Sequence, residues 1–477
     1  MLHRMRNIFS FKKNWDAIDE NIIKEYNLFR DSENKEYICY SPFKSMFFRM
    51  RGEVNACCYN TIYCLGSYPE NSPMEIWNGK QANKLRDYFK HNDLSLGCHW
   101  CKDKLINRKF NSLTSLSYDC YPYHPDFPTH LEFELNNTCN LECSMCSSHS
   151  SSSVSSKKKN SHYKSPYDKA FVKLLEPLIP HLQEAKFSGG EPFLIEIYYD
   201  IWEKIISINP NCRIYIQTNG SVLNERVKSF IDRGNFVISI SLDSVIKETY
   251  EKIRVNNSFD TFMKNISYFS ECYKSKNIKD LYFSTSIMKQ NWEEASSILN
   301  FLNSNNYRTS FCSVIIPQHC SLWHSDSEKL KKIVEYFNSF KLPEETPHQK
   351  INKELFYSFS YELELWINVK REREKEIVTF RNKEDKFILN QLLERIRISI
   401  NQYNHLNNKE KKSLYSDCLN KLNIVLSTFS KEKQRKVIIN LYELPLNYLI
   451  DGLKTENKER IIEACDDTVD FYDNILN

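Results

Sequence analysis

Leu131-Glu-Phe-Glu-Leu-Asn-Asn-Thr-Cys-Asn-Leu-Glu-Cys-Ser-Met-Cys146 is the stretch that decides how this chain reads. Its first half alternates. Leu131, Phe133 and Leu135 share one face and Glu132 and Glu134 the other, the two-residue period of a strand. Its second half places thiols at Cys139, Cys143 and Cys146 in one loop. Three close thiolates hold three corners of a cubane iron–sulfur cluster and leave the fourth iron open to a small-molecule ligand. A structural zinc site wants four closed ligands and fits poorly. A chance cluster of buried cysteines is the bland alternative.

Outward from this segment, the chain alternates strand and helix patterns. Strands are predicted at 131–137, 185–189, 213–219, 236–243, 281–288 and 308–315, and helices near 166–180, 195–208, 221–233, 258–275 and 291–306. Repeated strand–helix units imply an α/β fold with a parallel sheet and right-handed crossovers. Six units are too few for an eight-stranded barrel, so a partial (β/α)6 TIM-like barrel is expected. The later strands alternate too. Ile238, Ile240 and Leu242 oppose Ser239, Ser241 and Asp243. Ile214 and Ile216 oppose Tyr215, Gln217 and Asn219. Leu281, Phe283 and Ile287 oppose Ser284 and Ser286. A parallel sheet covered on both faces reads as continuous apolar runs. Here an apolar face for outer helices and a polar face lining a wet chamber are expected, with solvent-facing strands as the alternative.

Length and composition bound the rest. The chain has 477 residues, 41% hydrophobic and 26% charged, which suits a globular protein of about two to four domains. Lys+Arg number 65 and Asp+Glu 61, a net charge of +4. That is too balanced for a nucleic-acid coat or a polybasic membrane anchor. No apolar run nears the roughly 18 residues that span a bilayer. Met1–Lys13 is basic without a continuous apolar segment, so no secretory signal and a cytoplasmic location are expected. Without export, disulfides are not expected of the 16 Cys, and metal binding or catalysis is the better reading. Ten of them precede residue 147; Cys212, Cys272, Cys312, Cys320, Cys418 and Cys465 are scattered singly.

Ser188-Gly189-Gly190-Glu191-Pro192 closes the next strand. Two glycines permit close approach of a ligand to the backbone, and Glu191 offers a carboxylate to an ammonium group. Ligand sites of such folds sit at the strand C-termini. With these residues and the cysteine loop, the sequence resembles the radical S-adenosylmethionine (SAM) superfamily over roughly 129–315. The resemblance implies a [4Fe–4S] cluster on Cys139, Cys143 and Cys146, with the methionine end of SAM at Gly189, Gly190, Glu191 and Pro192. Gln217-Thr218-Asn219-Gly220 resembles the segment that reaches the ribose. Ser241, Asp243 and Arg254 resemble the fourth strand and its following helix, where an arginine pairs with the SAM carboxylate. Met145 stands where the family is often aromatic. The implied reaction is reductive cleavage of SAM to a 5′-deoxyadenosyl radical that abstracts hydrogen from a substrate; the protein positions and shields that chemistry. An electron donor such as flavodoxin or ferredoxin is implied with it.

A second cysteine group precedes the barrel. Cys98-x2-Cys101 with two distant cysteines suits a zinc ribbon or a four-thiolate iron–sulfur site, and spacing alone does not decide between them. Cys39-Tyr-Ser-Pro-Phe43, Gly52-x4-Cys57, Gly66, Glu75-Ile-Trp-Asn-Gly79 and Cys98-His-Trp-Cys101 resemble the SPASM/twitch auxiliary-cluster domain, which usually follows the core rather than preceding it. The resemblance implies one auxiliary [4Fe–4S] cluster on Cys39, Cys57, Cys98 and Cys101. Cys58 is an alternative to Cys57, and Cys64 and Cys120 are spare.

The expected division is an N-terminal segment 1–36, an auxiliary domain 37–128, the core 129–320 and a helical C-terminal region 321–477. In the last, Leu389, Leu392, Leu393, Ile396 and Ile400 share a helix face. Ser147–Ser156 with Lys157–Lys159 reads as a mobile Ser/Lys-rich loop. His149 and His324 are candidate catalytic groups, though a lone His is more often structural. The leading expectation is a radical enzyme acting on a peptide or protein. A sugar, nucleoside or other small metabolite is the alternative substrate, and a non-catalytic iron–sulfur or zinc protein is the alternative class. Neither a membrane nor a specific nucleic acid is expected as a partner.

Overall fold

A computed structural model describes residues 15–32, 34–158, 163–403, 406–456 and 458–466; the Met1–Lys13 start lies outside them. Nine strands make one sheet: β1 (Ser45–Phe48), β2 (Glu53–Asn55), β3 (Gly66–Ser67), β4 (His130–Phe133), β5 (Glu184–Phe187), β6 (Arg213–Thr218), β7 (Phe236–Ser241), β8 (Asp280–Ile287) and β9 (Arg308–Ser313). Their spatial order is β3-β2-β1-β4-β5-β6-β7-β8-β9. Every neighbouring pair from β1 to β9 is parallel. The pairs β1–β2 and β2–β3 are antiparallel.

The six predicted barrel strands are present, and the alternation has the expected consequence. Leu131, Phe133, Ile214, Ile216, Ile238, Ile240 and Phe283 are fully or almost fully buried under the outer helices. The helix Glu196–Ile208 covers them with Tyr198, Tyr199, Ile201, Trp202 and Ile205. Side chains of β6 and β8 alternate buried and half-buried, so the second face is only partly covered. There Glu132 sits opposite Lys186 in register and accepts from its ammonium at 2.7 Å. Against the desolvation that disfavours the cation, this pairing keeps Lys186 charged.

The sheet is larger than expected at one edge. β1, from the cysteine-rich N-terminal part, adds as a parallel strand beside β4, with Phe48 opposite Phe133. The rings of Phe48 and Phe133 stack at 5.4 Å and those of Phe133 and Phe187 at 5.0 Å, a ladder across three strands. Such pairs add about 0.5–1.5 kcal/mol each beyond area burial. The N-terminal part is therefore continuous with the barrel sheet.

Beyond the barrel the chain is helical. Helices Ser327–Asn338 and Pro347–Val378 pack on the last barrel unit through Leu330, Ile333, Phe337, Phe356, Phe359 and Leu363. Helices Asp385–Asn401, Asn408–Ser427, Lys431–Glu443, Leu446–Thr455 and Lys458–Asp466 close a separate apolar cluster. On the first of these, Leu392, Ile396 and Ile400 are buried, with Leu389 and Leu393 packed at the margin. Glu443 ties the two groups together. Wholly buried, it accepts from Lys370 and lies 3.2 Å from His324 Nδ1. His324 is thus a structural partner, and burial pushes it well down toward the neutral form.

One expectation is overturned. Ser147–Ser156 is not a mobile loop: Ser152–Lys157 is a helix capped by the Ser151 hydroxyl on Val154 N, with Ser151, Val154 and Ser155 buried. Its serines are used as hydrogen-bonding groups for the neighbouring loop, which composition alone does not reveal. Lys159 lies outside the described residues.

Candidate functional site

The cysteine loop is clamped from two sides. Ser151 Oγ donates to Leu141 O at 2.7 Å, Cys139 N donates to Ser152 Oγ at 3.0 Å and Ser153 Oγ donates to Cys139 O at 2.8 Å. On the other side Glu142 N and Ser144 N donate to Val255 O and Ile253 O, at the end of the helix Lys247–Ile253. The backbone is therefore satisfied by neighbours and the thiols are left free to face inward. Cys139 Sγ accepts from Leu141 N at 3.5 Å and from Asn219 Nδ2 at 3.8 Å. Cys143 Sγ accepts from Arg254 Nη1 at 3.7 Å. The hydrogen bond from the Cys146 thiol, with Arg254 assisting against burial, pulls Cys143 down to about 6. The same hydrogen bond pushes Cys146 well up and burial pushes Cys139 up, so Cys143 is the thiol held toward thiolate.

Arg254 is held in place by Asp243. The carboxylate accepts from Nε at 2.7 Å and Nη2 at 2.6 Å, and its other oxygen accepts from Ser286 N at 2.9 Å. Asp243 is fully buried, so it positions the arginine and does not face the chamber. Ser241 Oγ accepts from Gln217 Nε2 at 3.2 Å. Met145 packs with Ile253, Met288, Val314 and Cys320 beside the loop.

The Gly-Gly-Glu-Pro turn packs tightly against the cysteine loop. A Cβ on Gly189, at φ +112°, meets Asn136 O at 2.6 Å, and one on Gly190 meets Thr138 O at 2.2 Å. The segment leading into Cys139 approaches this closely. Glu191 is 0% exposed. Its carboxylate accepts from Thr218 Oγ1 at 2.8 Å, Asn219 N at 2.8 Å and Phe193 N at 3.2 Å. The carboxylate thereby clamps the β5 turn to the end of β6. Burial outweighs those donors and pushes Glu191 up to about 7. Pro192 opens the single turn that follows, and its missing N–H costs nothing there.

In the N-terminal part, Cys39, Cys57, Cys98 and Cys101 lie within electrostatic reach of one another. Burial pushes Cys39, Cys57 and Cys101 up to about 12, a cost that a bound cationic cluster relieves. Cys39 Sγ accepts from Ser41 N at 3.4 Å and Cys98 Sγ from Asn60 Nδ2 at 3.3 Å. Cys58 lies near Glu132 and Lys186 and lines a pocket together with Cys143 and Cys146. Cys64 and Cys120 are exposed and donate to nearby carbonyls.

Between the two thiol groups lies a chamber of about 680 Å3. Cys143, Met145 and Cys146 form one wall, and Cys58, Tyr59 and Trp100 of the N-terminal part another. The C-terminal helices roof it with Leu441, Tyr448 and Leu453, among others. The roof is pinned at Glu463, which accepts from Ser148 N at 2.9 Å and from Lys158 Nζ at 2.6 Å. Sequence reading missed Tyr59, Trp100 and the roof, because no local motif marks a residue that reaches the site only through tertiary packing. Among the described residues no three His, Cys, Asp or Glu side chains close around a single-ion position. No helix among the described residues is long and apolar enough to cross a membrane.

Comparison with known proteins agrees with this geometry. Residues 133–302 match the radical SAM superfamily, and residues 39–102 match SPASM, an iron–sulfur cluster-binding domain. A cysteine-type anaerobic sulfatase-maturating enzyme of Clostridium novyi is 28% identical over 189 residues, 36% of this chain and 47% of the relative. A GTP 3′,8-cyclase of Saccharophagus degradans is 24% identical over 127 residues, 26% of this chain and 37% of the relative. The chain thus spans about half or less of the length of these curated relatives. Among solved structures, Streptococcus suis SuiB bound to precursor peptide SuiA is similar at TM-score 0.33 and 16% identity, over 55% of this chain and 51% of that one. A radical SAM domain implies SAM and a [4Fe–4S] cluster, and a SPASM domain implies auxiliary iron–sulfur clusters. This chain therefore carries a radical SAM domain, with its SPASM domain placed before it in sequence.

Proposed function

We propose that the protein is a radical SAM enzyme that abstracts hydrogen from a substrate held in the roofed chamber. The observation that carries this reading is the chamber itself. Its wall presents the Cys139–Cys146 loop with an arginine poised at Cys143. In this reading Cys139, Cys143 and Cys146 hold the SAM-binding cluster, and Cys39, Cys57, Cys98 and Cys101 hold one auxiliary cluster with no open iron. When bound, the cluster and SAM supply a 5′-deoxyadenosyl radical. Arg254 takes the carboxylate of SAM, while the Gly189–Pro192 turn supports its methionine end through backbone rather than the Glu191 side chain. Thr218 and Asn219 stand at the ribose, and Ser241 beside them on β7. The C-terminal helices exclude water from the reacting centre. The chain divides functionally at about 37–128, 129–320 and 321–477, and a flavodoxin or ferredoxin supplies the electron.

Likeness to a sulfatase-maturating enzyme favours a peptide or protein segment as substrate. A second reading, a small metabolite, is favoured by the chamber size of about 680 Å3, which is typical of small-molecule sites, and by the GTP 3′,8-cyclase similarity. The test is anaerobic reconstitution with iron and sulfide, then dithionite and SAM. Release of 5′-deoxyadenosine supports the enzyme reading; none from a fully loaded chain overturns it.

A further inference from the structure

A smaller pocket of about 230 Å3 opens off the chamber at the heads of β1 and β4, and shares Cys58, Thr61 and Arg460 with it. Its charges come from three parts of the chain. Phe47 pairs with Glu132 in register, and Glu134 N donates to Phe48 O, so Arg49 and Glu134 emerge side by side on the chamber face. Arg51 follows in the turn to β2, where Gly52 at φ +100° lets Gly52 N reach back to Arg49 O at 3.0 Å. His149, three residues past Cys146, lies 3.4 Å from Arg51 Nη2 through its Nδ1. Arg460, from the roof, pairs with Glu456 at 2.9 Å.

Two features make this a site rather than a solvated rim. Arg460 is matched with Glu456, but among the described residues no carboxylate lies within ion-pair distance of Arg49 or Arg51. Two guanidiniums lining a concave pocket without a carboxylate partner, Arg51 reaching His149 through Nη2, are arranged to grip an anion with two oxygens. Burial also shapes the charge of the lining, which sets Arg49, Arg51 and Arg460 against Glu53, Glu134 and Glu456. Burial first, then Arg460, Arg51 and Arg49, hold His149 down to about 3, so it is a neutral hydrogen-bonding group. Burial also pushes Glu134 up, which weakens it as a competing anion.

We propose that this pocket is a substrate-anchoring subsite that takes an oxyanion, a carboxylate or a phosphate, on the guanidiniums of Arg49 and Arg51. The anionic end of the substrate is held at β1 while its reacting carbon faces the Cys143–Cys146 wall. The assignment rests on the radical-enzyme reading for its purpose, but its binding chemistry is testable alone. The N-terminal domain thereby contributes substrate recognition as well as an auxiliary cluster.

The experiment titrates the reconstituted full chain, without SAM, with inorganic phosphate and separately with glutarate, by calorimetry. Saturable binding of phosphate alone assigns a phosphate end. Binding of glutarate alone assigns a carboxylate end, and binding of both assigns a general oxyanion site. In each case Arg51→Gln and Arg49→Gln are expected to weaken binding about tenfold to a hundredfold, the worth of a charged hydrogen-bonded pair. Arg51→Lys, which keeps charge but loses the fork, is expected to recover only part. As a check that needs no variant, the bound probe should protect Arg49 and Arg51 from phenylglyoxal in the wild-type chain, read by peptide mass spectrometry. Binding of neither probe, or equal binding by wild type and both glutamine variants, overturns the proposal. A wild-type chain that binds a probe but cleaves no SAM leaves the subsite standing and removes the enzyme reading.

Discussion

Replacing Glu191 with alanine separates two roles for the Gly-Gly-Glu-Pro turn. In the structure the carboxylate is a clamp: it accepts from Thr218 Oγ1, Asn219 N and Phe193 N, and nothing of it is exposed. Alanine leaves two backbone N–H groups buried without a partner. The Thr218 hydroxyl can rotate, but an amide cannot. At about 1–3 kcal/mol per orphaned buried donor, the two amides cost roughly 2–6 kcal/mol before any cavity term. That is a large part of the usual 5–15 kcal/mol of a folded domain. Urea unfolding of the apo chain, followed by circular dichroism, should therefore show a clearly lower midpoint for Glu191→Ala. The cysteine loop should also take up iron poorly, because the turn that holds Thr138, next to Cys139, through its residue 191 backbone N–H loses its side-chain clamp. The reasoning is refuted if the midpoint and iron content stay at wild-type values and only SAM affinity falls. That result would make the carboxylate a direct ligand of the SAM amine.

Three further outcomes are expected. Because burial raises Glu191 from its ordinary 4.5 to about 7, the folded chain binds this proton more tightly than the unfolded one. Its contribution is fully present below about pH 4.5 and is lost as pH rises through 7; urea midpoints at pH 5 and pH 8 should fall further apart in wild type than in Glu191→Gln. Cys57→Ala should lower iron from about eight to about four per chain after reconstitution, while Cys58→Ala should keep about eight; equal losses would refute the assignment of Cys57 over Cys58. Gly190→Ala should displace the Asn136–Thr138 segment, since its Cβ falls 2.2 Å from Thr138 O, and iron assay should show loss of the SAM-binding cluster with the auxiliary iron retained.

Much of the core was legible because period and motif are local. Alternation in Leu131–Leu135 and Phe236–Asp243 marked strands and faces, and three thiols in one loop marked the site. What was not legible depended on distance in sequence. Ser45–Phe48 has the apolar run of a buried strand, but only its pairing with His130–Phe133 shows that it extends the barrel. The serines after Cys146 read as low-complexity loop, since nothing local says that Ser151 and Ser153 meet the Leu141 and Cys139 carbonyls. Glu191 is the opposite case. The motif suggests a ligand, while the number of donors around a buried carboxylate is a tertiary fact. The same holds for Cys57 and Cys58, adjacent residues whose side chains face different neighbours.

The account depends on one iron, held at the Cys139–Cys146 loop without a fourth protein thiolate, to which SAM binds directly. Electron paramagnetic resonance of the dithionite-reduced, fully loaded chain, with and without SAM, tests this most directly. SAM should change the signal of one cluster and leave the other unaltered, and the responsive signal should vanish in Cys143→Ala. A spectrum indifferent to SAM, or a responsive signal that persists without the Cys143 thiol, would contradict it.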